Sequence, residues 1–128
     1  MTELVKPKIL IVEDDEFLSG MYVTKFTVEG FMVHFALDGE AGLLKAQELM
    51  PQLILLDLLL PKKNGFEVLE ALKANVLTKL IPVILLTNLS QESDIKRGKD
   101  LGADDYLIKA YNIPSEVVQK VKARLQLS

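Results

Sequence analysis

At 128 residues the chain is long enough for one compact domain with a single core, and 49% apolar against 26% charged is the balance of an ordinary globular protein. It has no cysteine, which excludes disulfides, thiolate metal sites and a cysteine nucleophile. A net charge of -3 gives no electrostatic footprint for nucleic acid, and the longest apolar run, Leu53–Leu60, is interrupted by Asp57 and too short to span a bilayer. The stretch Met1–Pro7 has no apolar targeting segment. Residues 1–128 are therefore expected to be a single domain without an output domain, located in the cytoplasm, binding neither nucleic acid nor membrane.

Lys8–Val12 is β-branched and apolar on both faces, which predicts a buried strand. Asp15–Val28 follows as a helix with Leu18, Tyr22 and Phe26 on one face, ended by Gly30. Met32–Phe35 predicts a second strand, and Asp38 caps a helix to about Leu49 that Pro51 cannot continue. Leu53–Asp57 is the third strand, followed by a loop with Pro61, Asn64 and Gly65. Asn64 and Glu67 have the spacing of a capping box opening a helix over Gly65–Ala74. Pro82–Thr87 predicts the fourth strand, with the proline at its entry. Ser90 is expected to cap a helix to about Leu101, closed by Gly102. Tyr106–Lys109 is a fifth strand, and Ile113, Val117, Val121 and Leu125 form the apolar stripe of a last helix.

Five strict β-α alternations predict an α/β domain, a doubly wound parallel sheet with helices on both faces. In such sheets the working site lies beyond the carboxyl ends of the strands. Those ends carry Glu13 and Asp14, then Asp57, Thr87 and Lys109. Asp57 stands in Leu-Ile-Leu-Leu-Asp-Leu-Leu-Leu-Pro, where an unpaired carboxylate would cost several kcal/mol or lose its charge. Lys109 offers one positive charge against three carboxylates, leaving a deficit of about two that an oxygen-ligated divalent ion, Mg2+, would offset. A carboxylate in that setting is a nucleophile for a phosphoryl group, with Lys109 and the Thr87 hydroxyl available to its oxygens.

Taken singly, these residues also have plainer readings. Glu13 to Glu16 fit charges that complement a helix N-terminus, and Asp15 and Glu16 are read as no more than that. Lys109 fits a solvated lysine, Thr87 a strand or cap residue, and Tyr106 a half-buried aromatic with a wet hydroxyl. His34 is read as structural or exposed, away from the site, and the four methionines as core filler.

The ordered set of motifs resembles the receiver domains of bacterial response regulators, from Ile9 to Leu125. Ile-Leu-Ile-Val-Glu13-Asp14-Asp matches their acidic pair, and Asp57-Leu-Leu-Leu-Pro61-x-x-x-Gly65 their phosphoacceptor loop. Leu-Leu-Thr87 matches the switch hydroxyl, and Gly102-Ala-Asp-Asp-Tyr106-Leu-Ile-Lys109 the segment with the switch aromatic and the lysine. The resemblance implies a flavodoxin-like (βα)5 fold with strand order 2-1-3-4-5, similar to single-domain chemotaxis regulators. It implies Asp57 as phosphoacceptor, and Mg2+ held by Glu13, Asp14, Asp57 and the Leu59 backbone carbonyl. It further implies a histidine kinase or histidine phosphotransfer protein as donor, self-catalysed phosphotransfer and dephosphorylation rather than enzyme turnover, and a monomer or phosphorylation-dependent dimer. Thr87 would move toward the phosphate and Tyr106 turn inward, changing the surface of the fourth helix, fifth strand and fifth helix for an unknown output partner.

Two positions depart from the pattern. Ala110 follows Lys109 where the family usually has proline in a cis peptide. A cis bond to alanine costs ~2.5–4 kcal/mol, which predicts a trans Lys109–Ala110 bond, or else a strained cis one, with a different seat for Lys109 and a looser loop if trans. Asn88 follows Thr87 where a small residue is usual, and is expected to alter dephosphorylation. A haloacid-dehalogenase-like phosphohydrolase is disfavoured because Leu59 stands where its second aspartate belongs. A flavodoxin-like cofactor binder fails because Glu13-Asp14-Asp15 would repel a phosphate. A receiver-like interaction module without phosphorylation is opposed by the complete residue set.

Overall fold

The computed structural model describes residues 5–127. The N-terminal stretch read above for a targeting segment lies largely outside them. Strands β1 (Lys8–Val12), β2 (Met32–Ala36), β3 (Leu53–Leu56), β4 (Val83–Thr87) and β5 (Asp105–Ile108) alternate with helices α1 (Glu16–Val28), α2 (Gly39–Leu49), α3 (Gly65–Ala74), α4 (Glu92–Asp100) and α5 (Pro114–Arg124). All pairings are parallel and the sheet order is β2-β1-β3-β4-β5, the flavodoxin-like order expected.

The apolar runs of the central strands bury both faces. Leu10, Val12, Ile54, Leu56, Val83 and Leu85 meet Ala46 of α2 and Val68, Leu69 and Leu72 of α3. Ile9, Ile11, Leu53, Leu55, Ile84, Leu86 and Leu107 meet Tyr22 and Phe26 of α1 and Val117, Val118 and Val121 of α5. Burying one such Leu or Ile side chain stabilises by ~1.5–3 kcal/mol, so the two layers anchor the strand ends firmly.

Helix boundaries follow their caps. Asp15 precedes α1 instead of opening it, and its Oδ1 accepts the Phe17 and Leu18 N–H groups at 3.0 and 3.1 Å. Asp38 caps α2 through Ala41 N–H, and the Asn64–Glu67 capping box opens α3. Gly30 and Gly102 take positive φ, 98° and 104°, just past α1 and α4. Pro82 stands just before β4, at the strand entry expected of it, and its carbonyl accepts Ile54 N–H.

Several expectations need correction. Ser90 does not cap α4. Gln91 occupies that position and makes no side-chain bond to the helix. Ile113 does not join the α5 stripe: it precedes Pro114, is exposed, and gives its N–H to Glu116 Oε1. Val118 takes its place in the buried face, and Leu125 packs at the edge. β3 and β5 each end one residue early, so Asp57 and Lys109 stand just beyond the ladder instead of in it. Among the described residues no helix is long and apolar enough to cross a membrane.

Candidate functional site

β1 delivers Glu13 and Asp14, and β3 delivers Asp57, to neighbouring positions at one edge, because the two strands pair in register up to Val12 and Leu56. Asp57 N–H continues that pairing by donating to Val12 O at 3.0 Å. Glu13 and Asp57 are buried, 3% and 6% exposed, and Asp14 is exposed. Carboxylate oxygens of all three lie within 4.8 Å of one another. Lys109 Nζ donates to Asp57 Oδ2 at 2.8 Å and to Glu13 Oε1. Three carboxylates thus converge with a single ammonium bridging two of them, a set of oxygens able to hold a divalent ion.

Burial pushes the Glu13 carboxyl above its usual range, with the Asp57 charge adding to it, against the bonds from Lys109 and from Asp15 N–H. Burial alone would lower the Lys109 ammonium, but its bonds to Asp57 and Glu13 outweigh that, and its pKa is raised. The lysine is therefore firmly charged in its seat.

The Asp57 carboxylate is oriented from below by its own loop. Leu58 and Leu59 N–H donate to Oδ1 at 2.7 and 3.3 Å. That loop sits directly against the start of α3. A Cβ on Gly65 would lie 2.2 Å from Asp57 O, and one on Gly39 would lie 1.7 Å from Lys63 O. Both glycines occupy the first helical position after a capping Asn or Asp, where conformation does not require glycine. That placement was the signal available in the sequence for close backbone approach, and the sequence reading missed it. Leu59 itself is exposed, with its N–H turned to Asp57.

Thr87 ends β4 fully buried, its Oγ1 accepting Leu89 N–H at 3.4 Å. Tyr106 is half-buried, as expected, and its hydroxyl donates to Leu89 O at 2.7 Å. The loop after β4 thus meets the Tyr106 hydroxyl through a carbonyl that has left the sheet. The ring lies against α4, where a Cβ on Gly98 would be 3.3 Å from Tyr106 Cδ2. Burial, then the charges of Asp94 and Asp57, push the Tyr106 phenol up to about 12. Tyr22, read only as part of a packing face, borders the narrow internal space beneath Glu13 and Asp57. His34 lies half-buried on β2, outside this group.

There are no cis peptide bonds among the described residues, so Lys109–Ala110 is trans. Lys109 nevertheless reaches both carboxylates. The loop it enters is not loose: Lys109–Tyr111 makes one 3-10 turn, Ala110 N–H donates to Asn88 Oδ1 at 3.2 Å, and Asn112 Nδ2 to Ile108 O at 2.9 Å.

The family profile of the response regulator receiver domain matches residues 9–122. The chain belongs to that family. Among curated receiver proteins it is 42% identical over 120 residues to the DNA-binding dual master transcriptional regulator RpaA of Synechocystis, covering 94% of this chain and 49% of that protein. It is 39% identical to the phosphate regulon transcriptional regulatory protein PhoB of Rhizobium meliloti, covering 94% and 52%. The chain thus spans about half the length of these receiver-containing relatives. Two solved receivers have the same fold. A CheY-like receiver domain protein of Methanospirillum hungatei superposes with a TM-score of 0.87 at 30% identity, covering 95% of each chain. A response regulator of Chloroflexus aurantiacus gives 0.86 at 31%, covering 93% of this chain and 97% of that one. Receiver domains are the signalling switches of two-component systems, and the acidic group of Glu13, Asp14 and Asp57 corresponds to the pocket where they typically bind Mg2+.

Proposed function

We propose that this receiver is switched by a phosphoryl group carried on Asp57. The observation that carries the reading is the setting of that carboxylate: 6% exposed, in reach of two other carboxylates, and bonded at 2.8 Å to Lys109. An Asp57 oxygen attacks the phosphorus of a donor, a phosphohistidine of a histidine kinase or histidine phosphotransfer protein. The nitrogen–phosphorus bond breaks as the acyl phosphate forms. Lys109 offsets charge on the transferred oxygens, and the Thr87 hydroxyl donates to one of them. Glu13, Asp14, Asp57 and the Leu59 carbonyl would hold Mg2+, whose charge neutralises the phosphoryl oxygens when it is bound. Hydrolysis of the same acyl phosphate resets the domain without a further enzyme.

The output is read on the face of α4, β5 and α5. Tyr106 touches Gly98 of α4 and bonds to the loop that follows Thr87, so a shift at Thr87 passes to that face through direct contacts. The partner there is another domain or protein in the cytoplasm, met as a monomer or as a phosphorylation-dependent dimer. The named relatives, RpaA and PhoB, are a DNA-binding and a transcriptional regulator, and for any such output the DNA contact would lie outside these receiver residues.

The test is incubation with Mg2+ and a small phosphodonor such as acetyl phosphate, followed by intact mass. One phosphoryl group is expected on the parent and none on Asp57→Asn. A mass gain that persists in Asp57→Asn, or is absent from the parent, overturns the reading.

A further inference from the structure

The β4–β5 ladder ends at the pair Thr87–Ile108. Beyond it the two chains part, yet Lys109 must still send its ammonium back to Asp57 and Glu13. It does so from a single 3-10 turn, Lys109–Tyr111, a short structure whose first N–H groups have no partner within the turn. One of these, Ala110 N–H, donates to Asn88 Oδ1 at 3.2 Å. The bond links the residue after Thr87 to the residue after Lys109, 22 positions apart in sequence, one residue past the last backbone pair on the β4 side and two on the β5 side. Because a backbone N–H can only donate, the amide oxygen of Asn88 must be the atom that faces it. A proline at 110 would have no such hydrogen. The two positions where the sequence departs from the family pattern therefore meet each other.

We propose that Asn88 is a positioning residue: by accepting the Ala110 N–H it extends the β4–β5 pairing through a side chain and fixes the turn from which Lys109 reaches Asp57. The inference rests on the function proposed above for Asp57. It joins the switch loop to the lysine, since Thr87 and Leu89 flank Asn88 and Leu89 O also accepts the Tyr106 hydroxyl. The 87–89 loop is thus held to the β5 side at two points, one serving the aromatic and one serving the ammonium. Both Asn88 and Ala110 are exposed, so either can be changed without disturbing the core.

The test compares the parent, Asn88→Ala, Ala110→Pro and the double variant by two measurements. The first is the rate at which Lys109, mapped by mass spectrometry, is acylated by acetic anhydride in the unphosphorylated protein. The second is the rate of phosphorylation by acetyl phosphate with Mg2+ across donor concentrations. A single neutral hydrogen bond corresponds to roughly 3- to 10-fold. Asn88→Ala should therefore speed Lys109 labelling and slow the saturated phosphorylation rate by about that factor, with the half-saturating donor concentration unchanged. In the Ala110→Pro background, where the donor is already gone, Asn88→Ala should change neither. Unchanged labelling in Asn88→Ala, or the same change in both backgrounds, overturns the proposal. Faster labelling in a protein that never takes up a phosphoryl group keeps the latch and overturns the function assigned to Asp57.

Discussion

Glu13 and Asp57 leave β1 and β3, central strands of almost wholly buried residues, whereas Tyr106 lies in β5, an edge strand with only one residue of four fully buried, and Lys109 leaves it. At the centre the carboxylates are oriented by what the strands cannot avoid, the neighbouring peptide N–H groups and a glycine-tight contact with α3. At the edge, orientation depends on individual side-chain bonds: Tyr106 to Leu89, Ala110 to Asn88, Asn112 to Ile108. On the function proposed above, the contrast places chemistry in the rigid half and readout in the adjustable half, since packed strands hold a nucleophile more exactingly than loops do. Lys109 crosses between them through its bonds to Asp57 and Glu13.

Removing that crossing should give the largest effect. Lys109→Ala leaves Glu13 and Asp57 buried as like charges without their shared cation, which should cost about 3 kcal/mol of stability in urea unfolding. Added Mg2+ should recover part of that loss, and by more than it stabilises the parent, because the ion binds only the folded site. A variant as stable as its parent in the absence of Mg2+ would mean the two halves are not coupled through this ammonium. Gly65→Ala comes next. Its Cβ would fall 2.2 Å from Asp57 O, and overpacking of that kind costs ~1–3 kcal/mol. Phosphorylation should slow with it because Asp57 is pushed from its seat. Gly20→Ala is the matched control: nothing lies within 4 Å of its Cβ, so the helix gains instead, by ~0.5–1 kcal/mol. Equal responses at Gly65 and Gly20 would remove the claim that the centre is held by close backbone approach.

The central half was also the more legible in sequence. Lys8–Val12 and Leu53–Leu56 are apolar runs bounded by charge or proline, and a lone acid such as Asp57 in such a run announces itself by its cost. The edge was harder to read because its order comes from contacts between residues far apart. Nothing near Tyr106 in sequence foretells a bond to Leu89, and nothing near Ala110 foretells Asn88. The start of α4 was misplaced at Ser90 because Glu92–Asp100 is too polar to carry an apolar period, leaving a capping residue type as the only cue. Ile113 was misassigned for the opposite reason: it fits the period of α5 but lies before Pro114, where the chain has not yet turned onto the sheet. Tyr22 fits a packing stripe whether or not a carboxylate lies above it.

The smallest expected effect belongs to the edge and is a matter of pH. The Tyr106 phenol, ordinarily near 10.0, is pushed up to about 12 by burial and by the Asp94 and Asp57 charges. Below pH 10 it is neutral in the folded and unfolded chains alike, and its bond to Leu89 O is intact. As pH rises from 10 to about 12 the unfolded chain ionises first, so the unfolded state is favoured and the stability associated with the neutral phenol is lost through that window. Phenolate absorbance of the parent minus that of Tyr106→Phe should therefore rise with a midpoint near 12. A difference titration centred at 10 would mean that the hydroxyl is solvated and the bond to Leu89 is not kept in solution, which would remove one of the three side-chain bonds on which the edge depends.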